Sequence, residues 1–165
     1  MNSPKMIEAK ISGLALDITT NSPVVTITPS DSDKILPIWI GHYEAWAISM
    51  EISGVVSKRP LTHDLLLSVV KSMKGQIEKV EIVDLKDQTF YALISISLNG
   101  ETLKIDARPS DSLALALKAK APIFVNERLF NLKKEQMEQS GLPDQESLRD
   151  RLRKINPEDF GHYKL

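Results

Sequence analysis

Apolar and polar residues alternate along the first part of the chain. Ile7, Ala9 and Ile11 keep a period of two, and so do Leu14, Leu16 and Ile18. That period marks a half-buried strand. The phase slips by one at Gly13, which predicts a bulge there. The turn cluster Thr19 to Pro23 and the β-rich run Val24 to Thr28 complete a hairpin. After a polar loop comes Ile35 to Ile40. Pro37 cannot donate to a ladder, so this segment reads as an edge strand or a bulge.

The period then changes. Tyr43, Trp46, Ala47 and Met50 follow helical spacing, and Ala45, Ile48 and Ile52 mark a second stripe. A helix apolar on two faces is buried twice over, or buried on one side and used as an interface on the other. A second helix opens at Thr62, runs through Leu66, Val69, Val70 and Met73, and ends at Gly75. Strands follow at Ile77 to Leu85 and Thr89 to Leu98, joined around Lys86-Asp87-Gln88. Asn99-Gly100 is a hairpin signal that leads into Leu103 to Ala107. Pro109 to Lys120 reads as a third helix and Pro122 to Val125 as a short strand. Strands come in hairpin groups, so the class is α+β: a mainly antiparallel or mixed sheet packed with about three helices.

The chain divides at about residue 130. Residues 1–130 read as the α+β domain and 131–165 as a helical C-terminal appendage. Lys133 to Ser140 reads as a polar helix closed by Gly141. Asp144 is expected to cap a further helix with Leu148, Leu152 and Ile155 as its apolar stripe.

Composition removes several function classes. The chain has 165 residues with 21 Lys+Arg against 22 Asp+Glu, a net charge of -1. That argues against a strongly basic nucleic-acid arm, though a local patch survives the averaging. There is no cysteine. A disulfide framework, a Cys zinc site and a Cys nucleophile are excluded. The N-terminal stretch has no apolar core of a signal peptide, and no run approaches the ~20 apolar residues of a membrane span. A soluble, cytoplasmic protein without a membrane partner is expected. Walker, GxGxxG, GxSxG and HExxH patterns are absent, and no organic cofactor is implied.

Two helix starts resemble each other: Arg59-Pro60-Leu61-Thr62-His63-Asp64 and Arg108-Pro109-Ser110-Asp111. Thr62 and Ser110 suit caps, and Asp64 and Asp111 suit the positive end of the helix dipole. The same two starts also suit an anion site, because free N–H groups and a forked Arg both bind phosphate. Asp106, Arg108 and Asp111 share one strand-to-helix corner. Asp106 and Asp111 there could hold Mg²⁺ or another divalent cation, with Arg59, Thr62, Arg108 and Ser110 contacting substrate. An Arg–Asp ion pair fixing the corner is the structural alternative. His63 could act as a general base. Glu44 and Glu51 lie two turns apart on one helix face and could be solvated, interfacial or metal-facing, with solvation as the default reading. The two helix starts are expected to face one shared cleft.

The strings LPIWIG (36–41), RPLTHDLL (59–66), DQTFYA (87–92), IDARPSDSLALAL (105–117) and APIFV (121–125) resemble the bifunctional nuclease domain family. The resemblance runs from about Ile7 to Asn126. It implies an α+β domain that assembles as a homo-oligomer, and DNase and RNase activity attributed to some plant members. The matching motif positions are Trp39 and Gly41; Arg59, Pro60, Thr62, His63 and Asp64; and Asp106, Arg108, Pro109, Ser110 and Asp111. On the nuclease reading, His63, Asp64, Asp106 and Asp111 are the catalytic candidates, with nucleic acid as partner. The other reading is a non-catalytic oligomer that binds a small anion or a partner protein.

Overall fold

The computed structural model describes residues 2–155. Eight strands and five α-helices alternate in groups. The first group is β1 (Met6–Asp17), β2 (Ser22–Pro29) and β3 (Leu36–Trp39), followed by helix α1 (His42–Ser53). Helix α2 (Thr62–Ser72) leads into the second group, β4 (Gln76–Lys86), β5 (Thr89–Leu98) and β6 (Glu101–Ala107), which ends in helix α3 (Pro109–Ala119). Strand β7 (Ile123–Asn126) precedes a 3₁₀ turn, and α4 (Lys134–Gln139), α5 (Gln145–Arg151) and β8 (Leu152–Lys154) close the described chain.

The strands form one mixed sheet in the order β3-β2-β1-β7-β4-β5-β6, with β8 also paired to β1. The expected slip at Gly13 is there, as a register shift between Ile11 and Gly13 in the β1–β2 ladder. β3 is an edge strand, which suits Pro37. Asn99 and Gly100 both take positive φ, 52° and 80°, the conformation the β5–β6 turn demands. The short strand β7 has a role that its sequence did not disclose. It pairs antiparallel with β1 and parallel with β4, and so joins the two hairpin groups.

Helix α3 lies between α1 and α2 and packs on β4 and β5. Its buried residues Leu113, Ala114, Leu115 and Ala116 meet Ile48 of α1 and Val80, Ile82 and Ile94 of the sheet in one core. Ala45, Ala47, Ile48 and Met50 of α1 are all buried within this chain. The helix is therefore buried on both its stripes, and only Tyr43 and Ile52 remain exposed.

The appendage departs from the expected helices. Asp144 does cap α5, accepting from the Ser147 N–H at 2.8 Å. The helix stops at Arg151, and Leu152 to Lys154 become a strand against Ala15 to Asp17. The reason lies in β1. β7 pairs only with its residues Met6 to Ala9, leaving backbone groups further along open to a second partner. Arg151 completes the junction on Asp17, which is fully buried. Ile155, read as part of a helical stripe, packs instead against the main core. His162 and the rest of 156–165 lie outside the described residues.

Candidate active site

The two Arg-Pro helix starts open into one cleft of about 530 Å³, bordered by α1. Neither start is capped as its sequence suggests. Pro109 takes the first helical position of α3, where a missing N–H costs nothing, so Arg108 becomes the N-cap. Ser110 falls inside the first turn and is buried. In α2 the N-cap is Leu61, and its N–H is taken by Asp64 reaching back at 2.9 Å. Thr62 is thus the first helical residue and lines the cleft.

A chain of hydrogen bonds crosses the three helices at the cleft mouth. Arg108 donates through Nε to Asp111 Oδ2 at 2.8 Å and through Nη2 to Asp111 Oδ1 at 3.2 Å. The same Nη2 donates to Glu44 Oε1 on α1 at 2.8 Å. His63 Nε2 of α2 meets Asp111 Oδ1 at 2.9 Å. With Asp111 ionised, Nε2 carries the hydrogen, which in the neutral ring leaves the lone pair on Nδ1. Among the described residues, no hydrogen bond of Arg108 uses Nη1, and 63% of the side chain is exposed. Tyr43, Trp46, Leu61 and Leu65 supply an apolar wall.

The electrostatics follow from this geometry. Burial pushes the Asp111 carboxyl up, but hydrogen bonds from Arg108 and His63, with the Arg108 charge, hold it below its ordinary value. The bonds to Asp111 and Glu44 raise the Arg108 guanidinium further, against the effect of its burial. Arg108 is therefore a fixed cation and Asp111 a fixed anion.

A second ionic cluster sits further along the same helices. Lys118 of α3, its side chain only 9% exposed, donates to Glu51 Oε1 and Asp64 Oδ1, each at 2.7 Å. Burial lowers the Lys118 ammonium, yet the bonds to Asp64 and Glu51 leave it raised overall. Asp64 thus spends one oxygen on a cap and the other on Lys118. Arg59 and Asp106 are exposed, and neither is among the residues lining the cleft. Asp106 stands on β6 opposite Leu93.

Asp111 satisfies both its oxygens with Arg108 and His63, a donor set that suits a divalent cation poorly. Among the described residues, no group of three or more His, Asp and Glu side chains is placed to hold a metal ion. Sequence reading passed over Lys118 and took solvation as the default for Glu44 and Glu51, which instead pair with cations. Their signal was available: the two glutamates sit two turns apart on the α1 face that α3 covers, and each holds one α3 cation.

The fold and this cleft define a compact α+β domain with an Arg–Asp–His cluster at the junction of three helices. The bifunctional nuclease domain model matches residues 25–138. An uncharacterized protein of Mycobacterium tuberculosis is 36% identical over 171 residues, covering 94% of this chain and 98% of that one. The chain belongs to the bifunctional nuclease domain family. Bifunctional nuclease 1 of Oryza sativa is 22% identical over 78% of this chain and 38% of its own length. Bifunctional nuclease 1 of Arabidopsis thaliana is 24% identical over 65% of this chain and 34% of its own. No helix among the described residues is long and apolar enough to cross a membrane.

Proposed function

We propose that the cleft is a nuclease site that cleaves phosphodiester bonds of DNA or RNA. The observation that carries this reading is the bond chain Glu44–Arg108–Asp111–His63 across three helices. It is supported by the plant relatives named as nucleases. Arg108 offers the two N–H groups of Nη1 to a phosphate oxygen. Asp111 orients the His63 ring, and Nδ1 takes the proton from the attacking hydroxyl or water. The imidazolium then returns a proton to the leaving oxygen. Two carboxylates offset the Arg108 charge, so the phosphate depends on further cations. The N-terminal ends of α2 and α3 and the imidazolium itself supply them, with exposed Lys58 and Arg59 next in sequence to the cleft-lining Pro60.

The expected Mg²⁺ at Asp106 and Asp111 enters no step of this scheme. The test is cleavage of single- and double-stranded DNA and RNA, with and without EDTA, by identically purified wild type, Asp106→Ala and Asp111→Ala. On this reading activity survives EDTA and Asp106→Ala and is lost in Asp111→Ala. Loss in EDTA and in Asp106→Ala together would restore the two-carboxylate metal site.

One observation favours the non-catalytic, oligomeric reading. Leu65, Leu66, Val69 and Met73 leave an apolar strip of α2 exposed. A homo-oligomer would cover it, and light scattering of the intact chain decides that point.

A further inference from the structure

Arg108 borders a second hollow as well as the cleft. This hollow holds about 350 Å³ and is lined by Trp39, Gln88, Thr89, Phe90 and Ser110 beside Arg108. It lies at the low end of the volumes that take a small ligand. The wall includes two half-buried aromatic side chains, the Gln88 amide and the hydroxyls of Ser22, Thr89 and Ser110. A flat, edge-polar heterocycle is the ligand this chemistry fits. Aromatic faces stack on any base, and an amide or hydroxyl meets the base edge.

The aromatic platform is held from behind. The Trp39 indole N–H donates to the buried Asp17 Oδ2 at 2.8 Å. Arg151 pairs with the same carboxylate at 2.7 Å, and its guanidinium carbon stands 5.9 Å from the Trp39 ring centroid. Gln88 is exposed but packs on one side against Gly141, where a built Cβ would meet its amide carbon at 2.9 Å. A site with preset side chains loses less entropy on binding.

We propose that this hollow is a nucleobase subsite, and that the substrate is single-stranded nucleic acid lying across Arg108. Its phosphate rests on the guanidinium, one base lies in the Trp39–Phe90 hollow, and the neighbouring nucleoside lies against the Tyr43–Trp46 wall of the cleft. A base entering either hollow must be unpaired, so a duplex is excluded. This inference rests on the nuclease reading of the cleft and adds the substrate form.

The chain carries two tryptophans, and each lines one of the two hollows. Trp46→Phe leaves Trp39 as the reporter of the new subsite, and Trp39→Phe leaves Trp46 as the reporter of the cleft. Each full-length variant is titrated with a phosphorothioate hexathymidine strand, a blunt duplex of equal length, an abasic hexamer and inorganic phosphate. The single strand is expected to quench both reporters, and the other three probes to leave Trp39 unchanged. Phe90→Leu keeps apolar bulk and removes the stacking ring. Added to Trp46→Phe, it is expected to weaken single-strand binding about tenfold with an unchanged melting temperature. Quenching of Trp46 alone overturns the subsite and leaves the nuclease reading standing. Equal quenching of Trp39 by the duplex, the abasic strand or phosphate also overturns it. No response at either tryptophan, with no binding by anisotropy, removes both readings.

Discussion

A Cβ on Gly41 would stand 2.1 Å from the Oε2 atom of Glu44. Gly41 has an ordinary extended φ of -74°, so the backbone does not require glycine there. The space does: the Glu44 carboxylate occupies it and from there holds Arg108. Gly41→Ala is expected to fold, because the clashing group is the end of a flexible side chain. It should displace Glu44, free Arg108 and reduce cleavage per folded molecule several-fold. Glu44→Gln, which keeps the shape and drops the charge, is expected to have a smaller effect. Parallel measurement of melting temperature and turnover checks the prediction.

The Arg108–Asp111–His63 group is expected to act as one unit. His63→Ala removes the proton acceptor and should cost about 10²–10⁴ in rate. Asp111→Ala leaves His63 unoriented and Arg108 loosely held, and the double variant should be little worse than the poorer single one. Arg108→Lys keeps the charge and loses the fork, so it should raise KM for oligonucleotides more than it lowers the melting temperature. Additive losses in the double variant would contradict this.

Lys118 ties α3 to both neighbouring helices and contributes stability, not chemistry. Lys118→Met leaves Glu51 and Asp64 without their cation and is expected to cost about 2 kcal/mol in urea unfolding. Glu51→Gln with Asp64→Asn in the same chain should recover part of that loss, since the unpaired charges are gone. The Lys118 ammonium is raised in the folded state. Its contribution is therefore complete at neutral pH and fades only as pH rises above the ordinary lysine range.

Asp17 leads the acid limb of stability, to which Asp64, Asp84 and Asp111 also contribute. Burial pushes the Asp17 carboxyl up, but bonds from Arg151, Trp39 and the Thr19 N–H hold it well below the ordinary 3.8. A depressed carboxylate adds stability above its unfolded value and loses it as pH falls through the folded one. The wild-type chain is expected to keep its stability down to about pH 4 and to lose it progressively below. Arg151→Met is expected to cost about 3 kcal/mol at pH 7, because it leaves a buried anion short of its cation. Asp17→Asn should flatten the acid limb. Chemical denaturation from pH 2 to 8 measures both.

Much of this architecture was legible in the chain. The bulge at Gly13, the edge position of Pro37 and the Asn99-Gly100 turn each follow from one residue's backbone limits. The shared cleft was legible from the repeated Arg-Pro starts. The caps were not, because Asp64 and the ring of Pro109 decided them against Thr62 and Ser110. Glu44 and Glu51 read by default as solvated charges, and only the packing of α3 between two helices pairs them with Arg108 and Lys118. Leu152 fits a helical stripe by period, and a free stretch of β1 made it a strand. Pairings between distant segments leave no local signal.

Strand β7 carries a consequence for the order in which this molecule is built. The two hairpin groups, β1 to β3 and β4 to β6, have contacts close in sequence and can form early. Within the sheet they are joined through β7, whose ladder to β4 pairs Val80–Ile82 with Ile123–Val125, while α1 packs on α3 above it. Glu44 comes with the first group, and His63, Arg108 and Asp111 come with the second. The bond chain of the cleft therefore spans both groups, and β7, set between β1 and β4, fixes the two halves of the site against each other. Each hairpin group taken alone holds only part of the bond chain, so the site is a property of the joined sheet and of neither half.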